Sequence, residues 1–89
     1  MKKVIKSSIS DLKEQQAEIA ARAYELYVDD IDGMGYDTSD INEVQLDVSE
    51  AIIEAVDEFG FNSSLPVDMH EKLLKVLIRR LRLDGVISA

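Results

Sequence analysis

Four times in this sequence an aspartate is followed three residues later by a glutamate; Asp47 with Glu50 lies within an apolar run, while Asp11 with Glu14, Asp40 with Glu43, and Asp68 with Glu71 each stand at the head of a run of apolar residues at three- and four-residue steps. A polar side chain at a helix N-cap accepts from a backbone N–H of the first turn, and a glutamate three residues on reaches back to the cap N–H. The pairing satisfies donors that every helix start leaves open. Gly33, Gly60 and Gly85 follow the three runs, and glycine is the residue that most readily takes the left-handed backbone of a helix end. The pattern predicts one helix over residues 11–31, a second from Ile41 to a stop at Gly60, and a third from between Pro66 and Met69 to about Leu83. In the first of these, Leu12, Ile19, Ala23, Leu26 and Ile31 recur at helical spacing. The expected architecture is all-α, a small three-helix bundle in one domain of residues 1–89. Residues 1–9 and 85–89 are partly β-branched and are expected to lie as short tails on the helices rather than pair as a ribbon.

The chemistry open to such a chain is narrow. It has no cysteine, which removes disulfides, zinc-thiolate sites, iron–sulfur ligation and thiol catalysis. Its one histidine, His70, begins an incomplete zinc-protease pattern, because Leu74 stands where the second histidine belongs. The opening "MKKVIKSSISDLKE" carries lysines but no apolar run of the length a secretory signal or membrane span requires. The chain reads as a cytoplasmic protein of a bacterium or of a phage that infects one. The acids of residues 29–40, "DDIDGMGYDTSD", invite a calcium reading. With Gly33 as the sixth loop position, however, the first is Val28 and the twelfth Ser39, so two ligands are missing. No spacing brings two carboxylates together for glycoside chemistry. The expectation is a protein without catalytic residues, metal or cofactor.

What the sequence does carry is an uneven charge. Between Ala23 and Glu71 there are fourteen Asp and Glu and no Lys or Arg, while residues 72–89 hold five bases against one acid. The acids interleave with Ile, Val, Ala and Phe at regular spacing, which a solvated tail does not do. At about 100° per residue, Ile41, Val44, Val48, Ile52, Ala55, Val56 and Phe59 of the second helix share one face. Glu43, Asp47, Glu50, Glu54, Asp57 and Glu58 fall opposite, in a stripe roughly 22 Å long at ~1.5 Å rise per residue. Like charges three and four apart repel by ~0.2–0.5 kcal/mol per pair, so the alignment costs stability. One reading is a solvent-facing stripe that aids solubility. The other is a docking face for a basic protein, built from Glu43, Asp47, Glu50, Glu54 and Asp57 with Asp30, Asp32 and Tyr36 of the preceding loop. Tyr24, Tyr27 and Tyr36 cluster around the end of the first helix; Tyr24 and Tyr27, three apart, are expected at the edge of the core with their hydroxyls outward, and the alternative is a binding hot spot, which tyrosine beside an acidic rim suits.

The third helix has the opposite sign. Lys72, Lys75, Arg79 and Arg82 form a basic stripe, and its apolar residues spread over roughly 220° where one-sided packing needs little more than ~100°. The simplest cover is a second copy, which predicts a homodimer through Leu73, Leu74, Leu77, Ile78 and Leu81. Arg80 falls inside this apolar arc and is expected at an interface or with its stem laid along the leucines. The function expected is that of an inhibitor or adaptor that binds a basic protein surface, such as one meant for nucleic-acid phosphates. The alternatives are a dimeric nucleic-acid-binding regulator using the basic stripe, which the net charge of −8 opposes, and a structural subunit of a larger assembly. Acyl carrier proteins share the size and acidity, but their Asp-Ser-Leu attachment motif is absent from "YDTSDIN".

Overall fold

The computed structural model describes residues 15–60 and 66–89. These residues form three α-helices, α1 (Gln16–Met34), α2 (Ile41–Glu58) and α3 (Val67–Leu83), and contain no strand. The expected all-α, three-helix architecture is therefore observed. The Asp11–Glu14 pair and the segment 1–9 lie outside the described residues. One apolar core joins the helices. Ile19, Ala23 and Tyr27, at four-residue steps, bury one side of α1, while α2 contributes Val44, Val48, Ala51, Ile52, Ala55 and Val56. Met69, Leu73, Leu77, Ile78 and Leu81 come from α3. The central element is α2: α1 and α3 both pack mainly against it and meet each other least.

The helix ends follow local chemistry, with two corrections. Asp40 caps α2 as expected, its Oδ1 accepting the Asn42 N–H at 3.0 Å, and Gly60 turns the chain away at φ 87°. The stop predicted at Gly33 occurs instead at Gly35, whose φ of 66° and ψ of 39° are left-handed and whose N–H reaches the Ile31 carbonyl at 2.9 Å. Two glycines two residues apart compete for the stop, and Gly33 is absorbed into the helix. The pair Asp68 and Glu71 does not cap α3. The cap is Pro66, extended at ψ 145° and without a side-chain bond; its carbonyl takes the His70 N–H at 2.9 Å. Proline fixes φ and disfavours helical backbone before it, so the helix starts directly after it. Asp68 then sits in the first turn, where its charge favours the helix dipole.

The cover for the wide apolar arc of α3 comes from the chain itself. Beyond Leu83 the backbone closes the helix with a Schellman turn: Gly85 is at φ 75°, its N–H meets the Arg82 carbonyl at 3.1 Å, and the Val86 N–H meets the Leu81 carbonyl at 2.9 Å. This directs Ile87 into the core, where it is 5% exposed. Burying such a side chain contributes roughly 1.5–3 kcal/mol. Ile87 is thereby part of the core. The Ser88 and Ala89 N–H groups then bond the Thr38 carbonyl at 3.0 and 3.1 Å. In this common core Leu73, Leu77, Ile78 and Leu81, assigned from sequence to a dimer contact, are buried within one chain, and Leu74 is half-buried. The apolar residues of α3 left largely in solvent are Val67, Val76 and Leu83.

Candidate functional site

The outward face of α2 carries exposed carboxylates of one sign. Its inner face is fixed by the buried Val44, Val48, Ile52 and Val56, so the helical period leaves Glu43, Glu50, Glu54 and Asp57 exposed in a row. Asp47 sits at the inner edge of the row and is half-buried. Burial, then the neighbouring Glu43 and Glu50 and Asp30 from α1, push its pKa above the usual aspartate value. Tyr36, in the loop after α1, has its phenol pKa raised by burial and then by Asp30, Asp47, Glu50 and Glu54. One patch therefore joins Asp30, Tyr36, Glu43, Asp47, Glu50 and Glu54. Asp32 and Asp57 are exposed, but neither is among the charges felt by Asp47 or Tyr36.

The sixth acid of the stripe has another job. Arg22 of α1 donates from Nε to Glu58 Oε1 at 2.7 Å and from Nη2 to Oε2 at 3.3 Å, a two-pronged pairing that holds the Glu58 carboxyl below the usual range. Arg22 also lies 3.4 Å from Glu25. The chain can thus neutralise an α2 carboxylate from across the bundle, yet Glu43, Glu50, Glu54 and Asp57 have no ion-pair partner among the described residues.

Two residues that the periodicity argument passed over adjoin the stripe. Leu46 is 65% exposed and Ile53 46%; seven residues apart, they lie on one side of the helix next to Glu50 and Asp57. The signal was present in the sequence, since both fall outside the core face of α2. Tyr27, by contrast, is a core residue: it is 1% exposed, with its ring 6.5 Å from that of Tyr36 and 29° from parallel. Tyr24 donates its hydroxyl to Asp84 Oδ2 at 2.6 Å, and Arg80 donates to the same oxygen at 3.2 Å. The bond from Tyr24 and the charge of Arg80 hold the Asp84 carboxyl below its usual range.

The acids of the α1–α2 loop serve local structure. Asp37 accepts the Ser39 N–H at 2.8 Å and the Ser39 hydroxyl at 2.7 Å, which lowers its pKa. Among the described residues no group of three or more His, Asp or Glu is arranged to hold a metal ion, and no helix is long and apolar enough to cross a membrane. On α3, Lys72, Lys75 and Arg79 are exposed, whereas Arg82 gives its Nε–H to the Ala89 carbonyl at 2.7 Å. No protein-family model, curated protein or solved structure matches the chain.

Proposed function

We propose that the protein acts by binding, with the outward face of α2 docking on a basic surface of another protein as an inhibitor or adaptor. The observation that carries this reading is the row Glu43, Glu50, Glu54 and Asp57, exposed and without a counter-ion among the described residues, where Arg22 supplies one to Glu58. A row of like charges weakens the helix that bears it and creates a field that draws a basic surface at long range. Leu46 and Ile53 at its margin supply apolar area that leaves water on contact, which charge alone does not provide. Asp30, Asp47 and Tyr36 extend the face toward the end of α1.

The test is capture of partners from host lysate, followed by binding kinetics of the variant Glu43→Lys/Glu50→Lys/Glu54→Lys against the captured protein. All three positions are exposed, so the helix is expected to remain intact by circular dichroism. Association is expected to slow, and the dependence of affinity on salt to flatten, because rim charges act mainly on encounter. Unchanged affinity and an unchanged salt slope would leave the stripe as a solvated surface and remove the proposal.

A further inference from the structure

A groove of about 610 Å³ lies between α1 and α3. It exists because Ala17, Ala20 and Ala21 give α1 almost no side-chain height there, while Val76 and Leu83 rise from α3 on the other wall. These two aliphatics are 51% and 75% exposed, two helical turns apart on one side of α3, so they offer apolar area to whatever enters the groove.

The charges on the two walls are opposite and evenly spaced. Glu25 borders the groove on α1 and Arg79 on α3. Seven residues before each, on the same edge of its helix, stand Glu18 and Lys72, both exposed. Arg80 at the end of the groove is already matched by Asp84, and Arg22 has its main partner in Glu58. One edge is thus acidic, the other basic, and apolar surface lies between them.

That arrangement is complementary to itself. A two-fold axis running along the groove lays the α1 edge of one copy on the α3 edge of the other, so that an acidic edge faces a basic one on both sides. It also packs Val76 and Leu83 of each copy toward the alanines of its partner. An isologous contact requires one patch to match itself under such an axis, and the single-signed face of α2 cannot do so. We propose that this groove is the docking site for a second copy of the chain, forming a two-fold dimer whose axis follows the groove. The contact uses a different surface from the acidic stripe and stands or falls independently of it. It also differs from the leucine-based contact read from the sequence, of which Leu73, Leu77, Ile78 and Leu81 are buried within one chain.

The experiment is sedimentation of the full chain from micromolar to near-millimolar concentration, with helicity of each variant checked by circular dichroism. The unaltered chain is expected to move from the mass of one chain to that of two. Two charge-reversed variants, Glu18→Lys/Glu25→Lys and Lys72→Glu/Arg79→Glu, are each expected to dimerise at least about tenfold more weakly, because exposed attractive pairs become repulsive ones at both symmetry-related edges. Mixed in equal amounts, they are expected to recover a two-chain species, since each reversed edge then finds its complement. The acid-reversed variant adds four charge units to −8 and stays negative, as does the other, so recovery reflects the edges and not overall attraction. Leu83→Asp, at a site three-quarters exposed, is expected to give the same loss without altering either edge. A monomer at every concentration, a mass growing beyond two chains, reversed variants that dimerise like the unaltered chain, or a mixture that stays monomeric would each overturn the proposal.

Discussion

Tyr27→Phe is expected to stabilise this protein, although it deletes a polar atom from the middle of the fold. The Tyr27 side chain is 1% exposed, and its buried hydroxyl has no hydrogen-bond partner among the described residues. A buried donor left unpaired costs roughly 1–3 kcal/mol in lost hydration. Burial first, then Asp47, Asp37 and Tyr36, raise the phenol pKa, so the group is neutral near pH 7 and no charge is at stake. Phenylalanine keeps the ring and its stacking against Tyr36 at 6.5 Å. The vacated space is about that of one oxygen, on the order of 10 Å³, and at about 24 cal/mol per Å³ its cost is about 0.2 kcal/mol. The balance favours the variant by roughly 1–3 kcal/mol. For a chain of 89 residues, each kcal/mol moves the thermal midpoint by about 4–8 °C. Thermal melts followed by far-ultraviolet circular dichroism measure the shift, and urea titration with an unchanged m-value shows that it belongs to the folded state. A fall in the midpoint would refute the reasoning, because it would mean that the hydroxyl makes a bond worth more than the desolvation it suffers.

Two further outcomes follow from the helix ends and the acidic face. Gly33→Ala is expected to stabilise by roughly 0.5–1 kcal/mol, since Gly33 is helical and a Cβ there meets nothing within 4 Å. Gly35→Ala, two residues on, is expected to destabilise by about 1 kcal/mol because of its left-handed φ of 66°. Denaturant midpoints that moved in the same direction would place the end of α1 elsewhere. Asp47 is held above its ordinary value of 3.8 by burial and neighbouring acids, so the folded chain takes up this proton at a higher pH than the unfolded chain does. Stability is therefore expected to rise as pH falls through the raised value toward 3.8, and Asp47→Asn is expected to remove that rise from the difference between the two melting profiles. Glu58, Asp37 and Asp84 are shifted the other way. Their contributions are present above 4.5 for the glutamate and 3.8 for the aspartates and are lost as pH falls further. Parallel profiles for Asp47→Asn and the unaltered chain would show that this carboxylate is not strained by the fold.

The parts of the structure readable from sequence are those governed by neighbours in the chain. The start of α2 at Ile41, with Asp40 as its cap, and the end of α3 near Leu83 depend on residues within one turn. The row of acids on α2 follows from helical period alone. The stop at Gly35 was missed because Gly33 satisfies the same local rule, and only the run of backbone bonds decides between them. What was not legible depends on distant contacts. Arg22 and Glu58 are 36 positions apart, so nothing local marks Glu58 as the neutralised member of the stripe. Only part of the 220° apolar arc of α3 is buried, with Val76 and Leu83 at its edge in solvent, and periodicity does not tell what covers the rest. Here part of the cover is Ile87, from a segment too short to carry a pattern of its own.

One backbone oxygen, that of Thr38, accepts the Ser88 N–H at 3.0 Å, the Ala89 N–H at 3.1 Å and, at 3.4 Å, the Ser88 hydroxyl. It closes a circuit of fifty positions along the chain that contains the whole of α2 and α3. The entropy of closing such a circuit grows only slowly with its length, and the core shared by the three helices already holds its ends near one another. When this latch on Thr38 releases, Ile87 leaves the core, the inner side of Leu81 is wetted, and the α1–α2 loop is freed at the same instant. The two ends of the latch consequently form one cooperative unit, and their amide protons exchange with solvent together.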